Sequence, residues 1–590
     1  MDGVELQILW SNLIGIVSEQ ARALQRIAFS PIVREAGDLA NGLFDENARM
    51  VAQAVTGTPG HINSLAAAAR NLLEHTDMDK LRPGDVLITN DPWMSAGHFF
   101  DITIISPIFR NGRIIAYAGS TIHHSDIGGY GIGSGARDIH EEGLWIPVMK
   151  LYEEGRPNET LFSIIKRNVR TPDALMGDLG AQVSSGMIAA ERLNALCDRY
   201  GLEDISELSE EIIVRSEKAT RDAIAKLPAG TWHGASKFDV PGGEVINLKT
   251  AVTVDPEAGE ITIDFEGSSG PSAMGINVVP AYTHAYATFA IRSTLNPDLP
   301  NNAGSLAPIK LKLPDECVVN ARYPSPVNAR HVVGMYVPFP ILKALAQILP
   351  DDVIAEGSGA VWTIQVQGKD ANGKPFTSSM FNYSGGMGAR AHKPGLSAIC
   401  YPTGVSAVPV EVLEASYPIA FTCKELERGT GGAGRQPGGD GPLLHAPPGN
   451  FPKTHYITTA WLISSRLSIR SNCSATSGVC VTTTRATSSS RHVSRNNSIT
   501  CCWWPESTLA VGSSARSSLG RLASARATDT RCCSPTESCE GRCVMRCASP
   551  TRSKRCLARS LSVRLRAKRM PSRTFSNAVN PESKLNVWKT

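Results

Sequence analysis

The chain has 590 residues with 59 Lys+Arg against 55 Asp+Glu, a net charge of +4, and such a length exceeds what one hydrophobic core usually serves, which predicts two or three domains. No apolar run approaches the roughly 18 residues needed to span a bilayer, and the acidic start "MDGVELQ" lacks the basic-then-apolar layout of a secretory leader, so the expectation is a cytoplasmic protein with no membrane partner. The near-neutral total hides an asymmetry: residues 441–590 hold 23 of the 59 Lys+Arg but 5 of the 55 Asp+Glu, a net of +18, which leaves 36 against 50 and a net of −14 for 1–440.

In chain order, Leu6, Leu9, Leu13, Ile16, Val17, Ala21, Leu24 and Ile27 recur at three- and four-residue spacing and predict an amphipathic helix. "DVLIT" (85–89), "DITIISPIF" (101–109) and "RIIAYAGSTI" (113–122) are rich in β-branched residues and broken by turn formers, the pattern of strands. Between the last two, Asn111-Gly112 is the preferred two-residue type I′ hairpin loop. With Arg110 paired to Arg113, Asp101 faces Ile122 and His98 lies opposite Ser125.

The far end of this hairpin therefore gathers His98, Asp101, His123, His124 and Asp126. Imidazoles and carboxylates together suit Zn²⁺, Mn²⁺ or Fe²⁺ and leave positions open for water or substrate. "HFFD" and "HHSD" each supply a His-x-x-Asp; a lone copy is more often a capped strand end, but two brought together by one hairpin favour a metal centre. A strict pleat puts His124 on the face of Asp101, whereas a bulge at Gly119 puts His123 there, and both readings stay open. Gly128-Gly129 let the backbone turn sharply and approach a ligand. "DIHEEG" then brings Asp138, His140, Glu141 and Glu142 back towards the same region, and Glu142 and His124 are the candidate acid–base residues, although solvation is the commoner fate of such a run.

Further along, "AVTVD" and "EITIDFEG" (251–267) read as a hairpin, 281–293 and 338–349 as helices, and 361–367 as a strand. The fold class is α+β, multi-domain, with mixed or antiparallel sheets and packed helices. Residues 1–230 form an N-terminal domain with the candidate metal site and 231–440 a second with glycine-rich loops. In the latter, "NYSGGMGARAHKPG" (382–395) is a candidate backbone nest for substrate at Gly385 and Gly386.

Five blocks, "GDVLITNDPWMSAGHFFDITIISPIF", "HHSDIGGYGIGSGARDIHEEGLWIP", "DFEGSSGPSAMGIN", "NNAGSLAPIKLKLP" and "PVEVLEASYPIAF", resemble in this order the hydantoinase B / 5-oxoprolinase family over about residues 4–439. That family includes the B-type component of ATP-dependent N-methylhydantoinases and matching components of acetone and acetophenone carboxylases. The resemblance implies an A-type partner subunit that uses ATP to phosphorylate the substrate, and hydrolytic ring opening of a cyclic amide or imide at a divalent metal (Zn, Mn or Fe) on this chain. No GxxxxGK[ST] phosphate loop occurs, which fits ATP being handled by the partner. The family's His-x-x-Asp-Ile-Gly-Gly falls on His123, Asp126, Gly128 and Gly129 and its strand-initial aspartate on Asp101, so the resemblance favours His123 over His124, with His98 as a further ligand. His61 in "GTPGHINSL" matches a family histidine, but a lone loop histidine is more often structural. The alternatives are a carboxylase component and a non-catalytic scaffold for the partner.

Beyond 440 the resemblance stops. Ten of the 14 cysteines lie there, with Ser/Arg-rich stretches and no sustained apolar period. We expect this tail to be disordered or non-native, the product of a frameshift near codons 436–442; the rival is a basic arm that binds nucleic acid through phosphate neutralisation.

Overall fold

In the computed structural model, residues 2–445, apart from 241, 242, 360 and 371, are described, together with the backbone of strands at 455–463 and 483–486. The N-terminal part is a seven-stranded sheet of β1 (Leu39–Asp45), β2 (Met50–Gln53), β3 (Val86–Thr89), β4 (Asp101–Arg110), β5 (Arg113–His123), β6 (Met149–Glu153) and β7 (Arg156–Pro157), in the order β2-β1-β5-β4-β3-β6-β7. All its pairings are antiparallel. The helices are α1 (Gly3–Ile27), α2 (Pro31–Arg34), α3 (Pro59–Glu74), α4 (Glu159–Asn168), α5 (Pro172–Tyr200) and α6 (Ser206–Ile224). Asp2 caps α1 by accepting from the amides of Val4 and Glu5, and the periodic apolar residues of α1 from Leu6 to Leu24 are buried.

Both faces of this sheet are covered, which explains why β4 and β5 read as nearly continuous apolar runs. Ile102 and Ile104 pack into the core that holds α1 and α5. Ile105 and Tyr117 point the other way, into a smaller core with Leu65, Ala68 and Leu72 of α3.

The hairpin turn is as the sequence predicts: Asn111 and Gly112 both have positive φ, 50° and 79°, and Arg110 pairs with Arg113. The register departs from expectation one step later. Phe109 opposes Ile114 but Ile108 opposes Ala116, so Ile115 is an extra residue in β5. Asp101 consequently pairs with His123, not Ile122. The bulge lies at Ile115 and not at Gly119; Gly119 instead admits close packing, since a Cβ there would come within 2.9 Å of both Ile105 and Phe44.

The next part is a four-stranded sheet of β8 (Gly230–Asp239), β9 (Val245–Asp255), β10 (Glu260–Asp264) and β11 (Ile309–Lys312), ordered β11-β10-β9-β8. It carries α7 (Pro280–Leu295), α8 (Ala303–Leu306), α9 (His331–Gly334) and α10 (Pro338–Leu345). The predicted hairpin is β9–β10, antiparallel, with β11 added parallel to β10. Then come β12 (Val361–Lys369) and β13 (Pro375–Ser384), α11 (Val410–Ser416), and a pair, β14 (Cys423–Leu426) and β15 (Pro442–His445). The fold is thus α+β with mixed and antiparallel sheets and packed helices.

Two stretches of the basic tail run as strands: His455–Ile463 lies antiparallel beside β12 and Thr483–Ala486 parallel beside the former. "HYITTAWLI" is itself rich in β-branched and aromatic residues. The remaining tail expectations, including the clustered cysteines, lie outside the described residues. Among the described residues no helix is long and apolar enough to cross a membrane.

Candidate active site

At the open end of the β4–β5 hairpin, Asp101 is fully buried and four basic side chains converge on its carboxylate. His98 Nε2 lies 2.8 Å and His123 Nδ1 3.0 Å from Oδ1, while His61 Nε2 lies 2.9 Å from Oδ2. Arg330 donates to Oδ2 as well. Among the described residues, His98, Asp101 and His123 each offer a ligand atom, and these atoms all lie within 4.8 Å of one another.

Each group arrives by a distinct local route. His123 ends β5 opposite Asp101 because of the Ile115 bulge, and its amide donates to the carbonyl of Asp38. His98 sits on the 91–100 connection, which buried Asn90 ties down by donating to the carbonyls of Phe99 and Leu144, both at 2.9 Å. His61 is in the first turn of α3, capped by Thr58. Its Nδ1 lies 3.3 Å from Asp38, so a carboxylate stands on either side of the ring. Arg330 reaches in from just before α9, lies over the Tyr282 ring at 3.9 Å, and donates from Nε to the carbonyl of Ala96. Gly97 makes room for it: with φ at +92°, a Cβ there would come within 2.7 Å of the Arg330 Cδ.

Burial alone would raise the Asp101 carboxyl, but His61, His98 and Arg330 outweigh it and hold the group well below the usual carboxylate range. Burial pushes His123 down to about 3 and, with Arg330 nearby, lowers His98, so both imidazoles are neutral and keep a lone pair. Against burial, Asp101 and Asp38 raise His61. Burial lifts Asp38 to about 6.

These residues fit a divalent cation. His98 Nδ1 lies 2.9 Å from the Asn328 carbonyl, which fixes its proton there and turns Nε2 towards Asp101. That Nε2 is buried and meets no group other than the Asp101 carboxylate. A ligating histidine is ordinarily held in this way, one nitrogen on a carbonyl and the other free for the metal. Two imidazole nitrogens and a carboxylate match the preferences of Zn²⁺, Mn²⁺ and Fe²⁺.

The other expected residues lie elsewhere. His124 is fully buried on the opposite face, beside Gln182 and Asp178 of α5, because neighbours on a strand alternate faces. Asp126 does not reach the cluster. It accepts from the amides of Gly128, Arg170 and Thr171 and from the Arg170 guanidinium, and so fastens the glycine turn to the start of α5. Gly128 and Gly129 have positive φ and abut backbone: added Cβ atoms would lie 2.4 Å from the Asn168 oxygen and 2.5 Å from the Gly143 nitrogen. Gly385 and Gly386 form no open nest; they pack against Ser358 and the Gly439 backbone. Glu142 is buried, accepts through Oε1 from the amides of Val327 and Asn328, and is pushed up to about 8 by burial. Asp138 caps a short turn, Glu141 pairs with Arg137, and His140 meets Tyr323, all towards solvent.

Asp38, His61 and Arg330 are the participants that sequence reasoning missed or set aside. Arg330 left one signal: a charge inside "VNARHVVGMYV", a run apolar enough to be buried, requires a buried partner.

The pattern of the Hydantoinase B/oxoprolinase family matches residues 2–450. The chain belongs to that family. It is 29% identical over 465 residues to a Pseudomonas sp. (strain NS671) protein named, provisionally, as the B-type component of a D-/L-hydantoinase, covering 75% of this chain and 77% of that one. With 5-oxoprolinase 1 of Arabidopsis thaliana it shares 28% identity over 474 residues, 75% of this chain but 36% of the relative. The fold is similar to the ATP-dependent caprolactamase of Pseudomonas jessenii, with a TM-score of 0.70 and 25% identity over 75% of this chain and 78% of that one. Membership of a family of such hydrolases supports an amide hydrolase activity.

Proposed function

We propose that this chain is the hydrolytic, B-type component of an ATP-dependent enzyme that opens a cyclic amide or imide, and that His98, Asp101 and His123 hold its divalent metal. The cluster on Asp101 is the observation that carries this reading: two neutral imidazoles and one anionic carboxylate, buried together with a ligand atom of each within 4.8 Å of the others. A divalent ion there supplies Lewis acidity towards an amide oxygen or a water molecule.

The chain's own residues do the rest. Asn328 fixes the tautomer of His98, and Arg330 offsets the charge of Asp101 when no cation is present. His61, held between the carboxylates of Asp101 and Asp38, which raise it against burial, is the candidate to pass a proton to a leaving nitrogen. The burial of every member keeps bulk water out, which strengthens each electrostatic contact.

ATP enters through an A-type partner, in keeping with the component name of the Pseudomonas relative and the absence of a phosphate loop in this sequence. The substrate class follows the names of the relatives, a lactam or hydantoin ring. The test is elemental analysis of the purified chain, followed by assay with its ATP-hydrolysing partner on hydantoin, 5-oxoproline and caprolactam. Stoichiometric metal and ATP-dependent ring opening are expected; full activity in a metal-free complex would sink the reading.

A further inference from the structure

The carbonyl that orients His98 and the guanidinium that meets Asp101 belong to one short segment, Val327–Arg330, far in sequence from both. A buried side chain grips that segment. Glu142 Oε1 accepts from two consecutive amides, Val327 at 2.6 Å and Asn328 at 2.8 Å. The carbonyl of the same Asn328 meets His98 Nδ1 at 2.9 Å. Asn328 also donates from Nδ2 to the Gly131 carbonyl at 2.5 Å, which sets the segment against the glycine-rich loop. Arg330, two residues on, donates to Asp101.

We propose that Glu142 is a positioning residue for the metal site, acting through the Asn328 peptide to hold His98 in its ligating orientation. This rests on the metal reading above. Glu142 reaches the site through the backbone of Val327 and Asn328, whose amides it accepts from. What the position needs is an acceptor at Oε1, not a charge. The carboxyl is mostly protonated at neutral pH, consistent with a neutral clamp. Glutamine provides the same acceptor at the same reach, whereas alanine leaves two buried amides without one.

The experiment is Co²⁺ titration of the full-length chain, reading the dissociation constant and the d–d absorption, with circular dichroism melting alongside. Glu142→Gln is expected to match wild type in affinity and spectrum. Glu142→Ala is expected to bind about 10- to 100-fold more weakly, with an altered spectrum, the range for loss of an outer-shell contact. Wild-type affinity and spectrum in Glu142→Ala would overturn the clamp, as would a Glu142→Gln variant as impaired as Glu142→Ala. Should Glu142→Ala not fold, Glu142→Asp, one methylene short of both amides, takes its place: weakened binding supports the clamp and unchanged binding overturns it. A wild-type chain that binds no Co²⁺ overturns the metal reading itself and removes the basis of this one, a result separate from an indifferent Glu142→Ala.

Discussion

Asp101 has no contact with solvent, and its carboxylate is met by groups drawn from three separate parts of the chain. Asp101→Asn leaves the buried Arg330 without its paired carboxylate, so we expect loss of bound metal by elemental analysis and a destabilisation of about 3–5 kcal/mol in urea unfolding. Asp126→Ala is the contrasting case: with its carboxylate engaged by Arg170, metal content stays at the wild-type value, while amide exchange across 127–131 speeds up. Glu142 predicts a pH effect whose sign follows from its raised value. The folded carboxyl titrates near 8 and the free one near 4.5, with burial the main cause and Asp138 the nearby charge. Its contribution to stability is complete below about pH 4.5 and is lost as pH rises towards 8; urea midpoints measured across that window should fall in wild type and flatten in Glu142→Gln. At this scale His98, Asp101 and His123 were legible, because each sits in a His-x-x-Asp at one hairpin end. Asp38 and Arg330 were not, since a carboxylate before a strand and an arginine before a helix are commonplace until the fold brings them together.

The hairpin of β4 and β5 shows what an element reveals and conceals. Its turn was readable because Asn-Gly is the pair that tolerates two positive φ values. Its bulge was not, because Ile115 lies in "RIIAYAG" with nothing to distinguish it from its neighbours. The same strand carries Gly119, wedged between Ile105 and Phe44. Gly119→Val should cost about 1–3 kcal/mol in chemical denaturation, as overpacking of a tight core does. The glycines at 128 and 129, expected to turn sharply beside a ligand, lie against the chain's own backbone, while Gly385 and Gly386, expected to form an anion nest, lie against the Ser358 side chain and the Gly439 backbone.

For the whole molecule, class and layering followed from pattern: strands of β-branched residues alternating with amphipathic helices, gathered in antiparallel and mixed sheets. The junction of the two larger sheets' territories at Asp101 did not, because it depends on the path of residues 326–331. On the metal reading proposed above, binding at this junction couples it to global stability. Chelation should lower the melting temperature, and restoring the ion to about 100 times its dissociation constant should return about 2.7 kcal/mol, measured by calorimetry. If 441–590 is out of frame, resequencing across codons 425–590 will find an insertion or deletion whose correction restores an acidic, glycine-containing ending. One consequence of the bulge extends beyond its own position. A strand keeps parity: every residue added or removed flips all that follow to the other side. Ile115 sets the parity of β5, and His123 and His124 are chemically identical side chains that parity alone sorts, one towards Asp101 and the other towards α5. Between Ala116 and Ile122 the chain should therefore tolerate changes of residue far more readily than a change of length by one, and an alignment of relatives that opens a single gap there would set the wrong histidine beside Asp101.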